Sequence, residues 1–169
     1  MRLALFLFLL TLFFDVKAQE KIEGLPDDLD KVKIVFLEYE QLPITDNMYK
    51  IVRKSYTKRN EVFIENNKEL AKEVKNYPYA YVLSKRAEYK GLADRGYKYV
   101  LENDLLESFN NGLQTAAGGN IVYASPMYLK DIKTGTRYEL FTVSEGYFHR
   151  YGWIISKFNE KVKRHYKKK

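Results

Sequence analysis

Val32-Lys33-Ile34-Val35-Phe36-Leu37-Glu38-Tyr39 is the stretch on which the fold turns. It is rich in β-branched and aromatic residues, and from Ile34 to Leu37 it is apolar without interruption. A strand with one wet face alternates apolar and polar residues, whereas a strand covered on both faces does not. The run therefore predicts a central strand, ended by Pro43. Beyond it, Thr45 or Asp46 can cap a helix. Met48, Val52, Tyr56, Phe63, Leu70 and Val74 recur at steps of four or seven, a helical stripe. The pattern over 46–75 predicts one long helix or two consecutive ones, stopped at Asn76-Tyr77-Pro78.

The rest of the chain follows in shorter units. Tyr77, Tyr79 and Tyr81 alternate and lead into Val82-Leu83, a second strand. Glu88 to Arg95 reads as a short helix closed by a left-handed Gly96. Tyr97 to Leu101 is a third strand, and Asp104 can cap a short helix to Asn111. A loop over 115–120 precedes the clearest hairpin, Ile121–Leu129 and Tyr138–Val143 around Asp131-Ile132-Lys133-Thr134-Gly135-Thr136. Ser144 can cap a last amphipathic helix through Tyr147, Tyr151, Ile154, Phe158 and Val162. This order implies an α/β or α+β domain with a mixed sheet of about five strands covered by helices.

On the N-terminal side, Gln19 to Asp30 is polar, with Gly24, Pro26 and three Asp, and reads as a linker. Before it, Arg2 and the apolar run Leu3–Phe14 have the build of a signal peptide, and Val16-Lys17-Ala18 fits its cleavage pattern. The run is too short to span a bilayer. The chain thus divides into a leader at 1–18, a linker at 19–30, a globular domain at 31–166 and a basic tail at 167–169. The expected location is periplasmic or secreted, with the mature protein starting at Gln19.

Composition narrows the function classes. There is no cysteine among the 169 residues. A disulfide framework, a thiol nucleophile, a CxxC redox pair, a thiolate metal site and a lipid-modified cysteine are all excluded. Fifteen Tyr and ten Phe supply the buried area that packing without disulfides requires. The formal charge is +7, partly from Lys161, Lys163, Arg164, Lys167, Lys168 and Lys169. Such a tail can meet a membrane surface or an acidic glycan, or simply end a helix whose dipole favours cations there.

The element order resembles the thioredoxin fold, in which a strand-helix-strand unit precedes a hairpin and a final helix. Glu38-Tyr39-Glu40-Gln41-Leu42-Pro43 follows the first strand without the cysteines of that family, so the resemblance implies topology and no redox chemistry. The leader ending in Ala-Gln, with Arg95-Gly96-Tyr97-Lys98-Tyr99-Val100-Leu101 and Tyr128-Leu129-Lys130-Asp131-Ile132-Lys133-Thr134-Gly135, looks like small exported proteins of unknown function from Bacteroidota. That likeness implies an envelope or extracellular address and no particular activity.

Several groups of residues could carry function. Tyr77, Tyr79 and Tyr81 are expected to share a face, and so are Tyr97 and Tyr99 on a neighbouring strand. If exposed together they would stack sugars or peptide side chains; the plainer reading is cross-strand packing beneath a helix. Glu38 and Glu40 lie two apart at the carboxyl end of the first strand, where open α/β sheets bind ligands. They are the candidate acid/base pair, against a reading as two solvated acids. Glu145 and His149 are four apart but lack a third metal ligand. Ser125 stands outside any nucleophile elbow, and Gly118-Gly119 lacks the lysine of a phosphate loop. No cofactor is implied, and nucleic acid is disfavoured. The reading that results is an exported binding or interaction module for a glycan, peptide or envelope protein. A carboxylate-dependent enzyme acting on a glycan is the alternative, and membrane-surface contact through the basic C-terminus a third.

Overall fold

The computed structural model describes residues 20–104, 124–144 and 150–167. Six strands form one mixed sheet: β1 (Lys21–Glu23), β2 (Lys33–Leu37), β3 (Tyr81–Ser84), β4 (Tyr97–Glu102), β5 (Ala124–Asp131) and β6 (Arg137–Ser144). Two α-helices, α1 (Lys50–Glu73) and α2 (Tyr151–Tyr166), and 3-10 segments at Val74–Asn76 and Tyr89–Arg95 complete the described elements. The architecture is α+β, with strand order β1-β6-β5-β4-β2-β3. Only the two pairings made by β5 are antiparallel, so β5 alone runs against the rest.

β2 lies between β3 and β4, and Ile34 to Leu37 are buried. Ile34 and Phe36 join the main core with Phe63 and Leu70 of α1 and Ile154, Phe158 and Val162 of α2. Val35 and Leu37 join a smaller cluster with Val100 and with Tyr89 and Leu92 of the second 3-10 segment. Cover on both faces is the physical reason for the unbroken apolar run.

The connections follow local chemistry. Gly96 closes the 3-10 segment at φ 83°, in the left-handed region that favours glycine. In the β5–β6 turn, Asp131 Oδ1 accepts from the N–H groups of Lys133 (2.9 Å) and Thr134 (3.0 Å), and Gly135 takes φ 79°. Pro126 is tolerated within β5 because the pairing with β4 stops at Tyr128. There Asn103 Nδ2 donates instead to the carbonyls of Ser125 (3.1 Å) and Pro126 (2.8 Å).

The helices are tied by their ends. No side chain of its own residue caps α2, which Arg150 precedes. α1 supplies the acceptors: Asn66 Oδ1 takes the N–H of Tyr151 (3.2 Å), and Glu69 Oε2 that of Gly152 (3.1 Å). Further along, Asn159 Nδ2 donates to the carbonyl of Glu73 (2.8 Å), so the two helices run in the same direction. A Cβ on Gly152 would lie 3.0 Å from Cβ of Glu69, which makes glycine the residue for this approach.

Two expectations are corrected. Residues 19–30 are not a plain linker: β1 pairs with β6, and Leu29 is fully buried. With β1 included the sheet has six strands, against the about five expected. The strand after α1 starts at Tyr81, not Tyr77. Of the two readings of the stripe over 46–75, the single long helix is the one formed, 24 residues followed by a 3-10 turn. The leader, the short helix over 104–111 beyond Asp104, the Gly118-Gly119 loop, and Glu145 with His149 lie outside the described residues. Among the described residues no helix is long and apolar enough to cross a membrane.

Candidate functional site

The carboxyl ends of β2, β3 and β4 lie side by side, because Leu37 pairs with Ser84 and Phe36 with Leu101. The chain leaving β2 continues the pairing for one residue, Glu38 N–H donating to the Ser84 carbonyl (3.0 Å). Tyr39 then turns inward. It is buried, stacked on Phe63 with ring centroids 5.0 Å apart and edge-on to Tyr151 at 5.0 Å. Burial drives its phenol well above the usual range, with Tyr151 adding to the effect. Because neighbours in extended chain point opposite ways, Glu38 and Glu40 face outward together. They line an open groove of about 550 Å³ with Tyr39, Gln41, Asn67 and Lys85.

The backbone of this groove is held by α1. Asn67 Oδ1 accepts from the Tyr39 N–H (2.8 Å), and its Nδ2 donates to the Tyr39 carbonyl (2.9 Å). Asn60 does the same for Leu42, at 2.7 and 2.9 Å. Arg53 Nη2 donates to the carbonyls of Thr45 (3.2 Å) and Asp46 (2.6 Å). The helix residues step by seven and their partners by three. Seven residues of helix rise about 10.5 Å and three of extended chain span about 10 Å, so the two periods match. Each asparagine acts as a rung that satisfies a backbone donor and acceptor. Asn60, Asn67 and Lys85 were not singled out from the sequence. Polar amides recurring every seven residues inside a helical stripe are the signal that marks them, since asparagine is a weak helix former.

The tyrosines do not form the exposed platform. Tyr77 and Tyr99 are buried, and Tyr79, Tyr81 and Tyr97 are half-buried. Tyr77 stacks on Phe158 at 5.8 Å and meets Phe36 edge-on at 5.5 Å, while Tyr79 packs edge-on against Tyr166. Burial pushes the Tyr77 and Tyr99 phenols far up. Tyr97 and Tyr99 are also on opposite faces. The β2–β4 register slips after Lys33, pairing Lys33 with Tyr97 and Ile34 with Tyr99, and Tyr97 joins the smaller cluster. Lys33 Nζ sits 5.5 Å from its ring centroid.

The remaining candidates separate. Ser125 is buried in β5 opposite Val143. His165, the one histidine among the described residues, lies edge-on to Tyr166 at 4.9 Å. No group of three metal-ligating side chains forms among the described residues. The apolar side of α2 is spent in the core, where Ile154, Ile155, Phe158 and Val162 are fully buried. Comparison with family models, curated proteins and solved structures gives no match.

Proposed function

We propose that this chain is an exported binding module whose ligand is a glycan held in the groove at the carboxyl edge of β2. The observation that carries this reading is that Glu38 and Glu40 both line an open groove whose Tyr39 backbone is braced by Asn67. A braced backbone loses little freedom on binding, which favours affinity. Carboxylates, the Gln41 amide and the Lys85 ammonium together offer acceptors and donors to a hydroxyl-rich ligand. Export rests on the leader-like sequence of residues 1–18.

The same two carboxylates also suit the enzymatic alternative, glycoside hydrolysis, in which an acid and a nucleophile or base flank the sugar. Binding is preferred because both glutamates are half-exposed beside an open groove, whereas a general acid works from a desolvated site. Titration calorimetry of the chain from Gln19 with cell-envelope oligosaccharides separates the readings. Saturable binding without release of reducing sugar, reduced roughly tenfold or more in E38Q/E40Q, is expected; that loss corresponds to about 1.4 kcal/mol. Release of sugar would move the assignment to the hydrolase. Undiminished affinity in E38Q/E40Q would take the groove out of consideration.

A further inference from the structure

We propose that the first turns of α1 together with the residues leading into it, Ile44 to Lys58, dock onto an anionic lipid surface. α1 is 24 residues long, about 36 Å, yet its buried residues begin at Phe63. The first turns carry none. Among the described residues the two large apolar side chains most open to water lie here, Tyr49 at 83% exposed and Ile51 at 79%; Ile44 nearby is 43% exposed, as is Trp153 of α2. Surface tyrosines and isoleucines at such exposure, gathered at one protruding end, mark an interaction site.

The charge around them has one sign. Residues 44–60 hold Lys50, Arg53, Lys54, Lys58 and Arg59 against a single acid, Asp46, and Arg53 lies 3.9 Å from that carboxylate. Lys50, Lys54 and Lys58 are exposed and step by four, so they form one stripe. Ile51 precedes Lys54 by three and Lys58 by seven, and shares their side. The first turn of α1 has no acidic residue, although acids stabilise that position in an ordinary surface helix.

The shape of the patch selects lipid over a folded partner. Tyr49 and Ile51 are two positions apart and point in different directions, so no single flat surface covers both. A fluid interface surrounds the tip and takes both, while the lysines reach the phosphate level. The tip, rather than the basic C-terminus, is thus the lipid contact, and the apolar side of α2 is already buried. Docking does not depend on a ligand in the groove, so either proposal can fail alone.

The test is co-sedimentation of the chain from Gln19 with vesicles of phosphatidylglycerol and phosphatidylcholine, and with phosphatidylcholine alone. Binding to the anionic vesicles only, weakened by salt, is expected. Y49S/I51S and K50E/K54E should each lower the partition coefficient roughly tenfold or more, by loss of apolar insertion and of headgroup attraction respectively. These positions are exposed, and thermal melts of both variants should match the parent. Deleting Lys167–Lys169 should change little. Absence of binding to anionic vesicles, or full binding by both variants, overturns the proposal. So does loss on deleting the tail with the tip variants intact. Equal capture of soluble polyglutamate by the parent and Y49S/I51S, with no vesicle binding, points instead to an acidic protein partner.

Discussion

Asp28 receives Lys98 Nζ at 2.6 Å and the Tyr99 hydroxyl at 2.8 Å. Burial works to raise its pKa, but the hydrogen bonds from Lys98 and Tyr99 and the Lys98 charge outweigh it and hold the carboxyl below its usual value. The stability it contributes is therefore fully present above its unfolded pKa of about 3.9 and is lost as pH falls through the lower folded value. D28N should be less stable than the parent at neutral pH, with the difference closing as pH falls below the unfolded carboxyl value and through the lower folded one. Urea denaturation at a series of pH values checks this, and a constant difference would contradict it. The side chain is 35% exposed, so the effect is small. Close by, Tyr166 Oη donates to the Pro26 carbonyl (2.7 Å) and accepts from the Leu29 N–H (2.9 Å). Gly96 and Gly135 were legible in the sequence because their conformations depend on neighbours in the chain. Asp28 was not, because its partners lie about seventy positions away.

At the scale of elements, periodicity made α1, α2 and the β5–β6 hairpin readable, since each shows its apolar spacing within a short window. The rungs between α1 and the chain after β2 were not readable, because they join an element to a segment with no period of its own. N60A and N67A each remove both partners of a backbone donor and acceptor. Each should cost about 1–3 kcal/mol in chemical denaturation. Hydrogen exchange should show lost protection at Leu42 for N60A and at Tyr39 for N67A, with the β-sheet amides less affected. Equal loss of protection across the sheet would mean that the rungs hold the whole fold rather than the groove. The register slip between β2 and β4 belongs to this scale as well. Strict alternation placed Tyr97 and Tyr99 on one face, and a one-residue bulge at Lys98 set them apart.

For the molecule as a whole, Glu102 joins the strands around the groove end of the sheet. It is 3% exposed, with Arg86 Nη1 at 3.1 Å and Lys130 Nζ at 3.8 Å, so residues following β3, ending β4 and within β5 meet on one carboxylate. E102A leaves two cations without their counter-charge and should cost about 3 kcal/mol or more, read as a lower urea midpoint. A drop well under 1 kcal/mol would show that the cations find other partners. By itself the sequence determined which stretches after residue 30 become the main strands and helices, that β2 is central, and that no thiol chemistry is available. Those properties depend on composition and on spacing between near neighbours. Only the tertiary structure decided that the N-terminal segment completes the sheet, that five tyrosines are spent on packing, and that Glu38 and Glu40 share a groove with Asn67 and Lys85. Each of these depends on a contact between residues far apart in the chain, and such a contact leaves no local period to read.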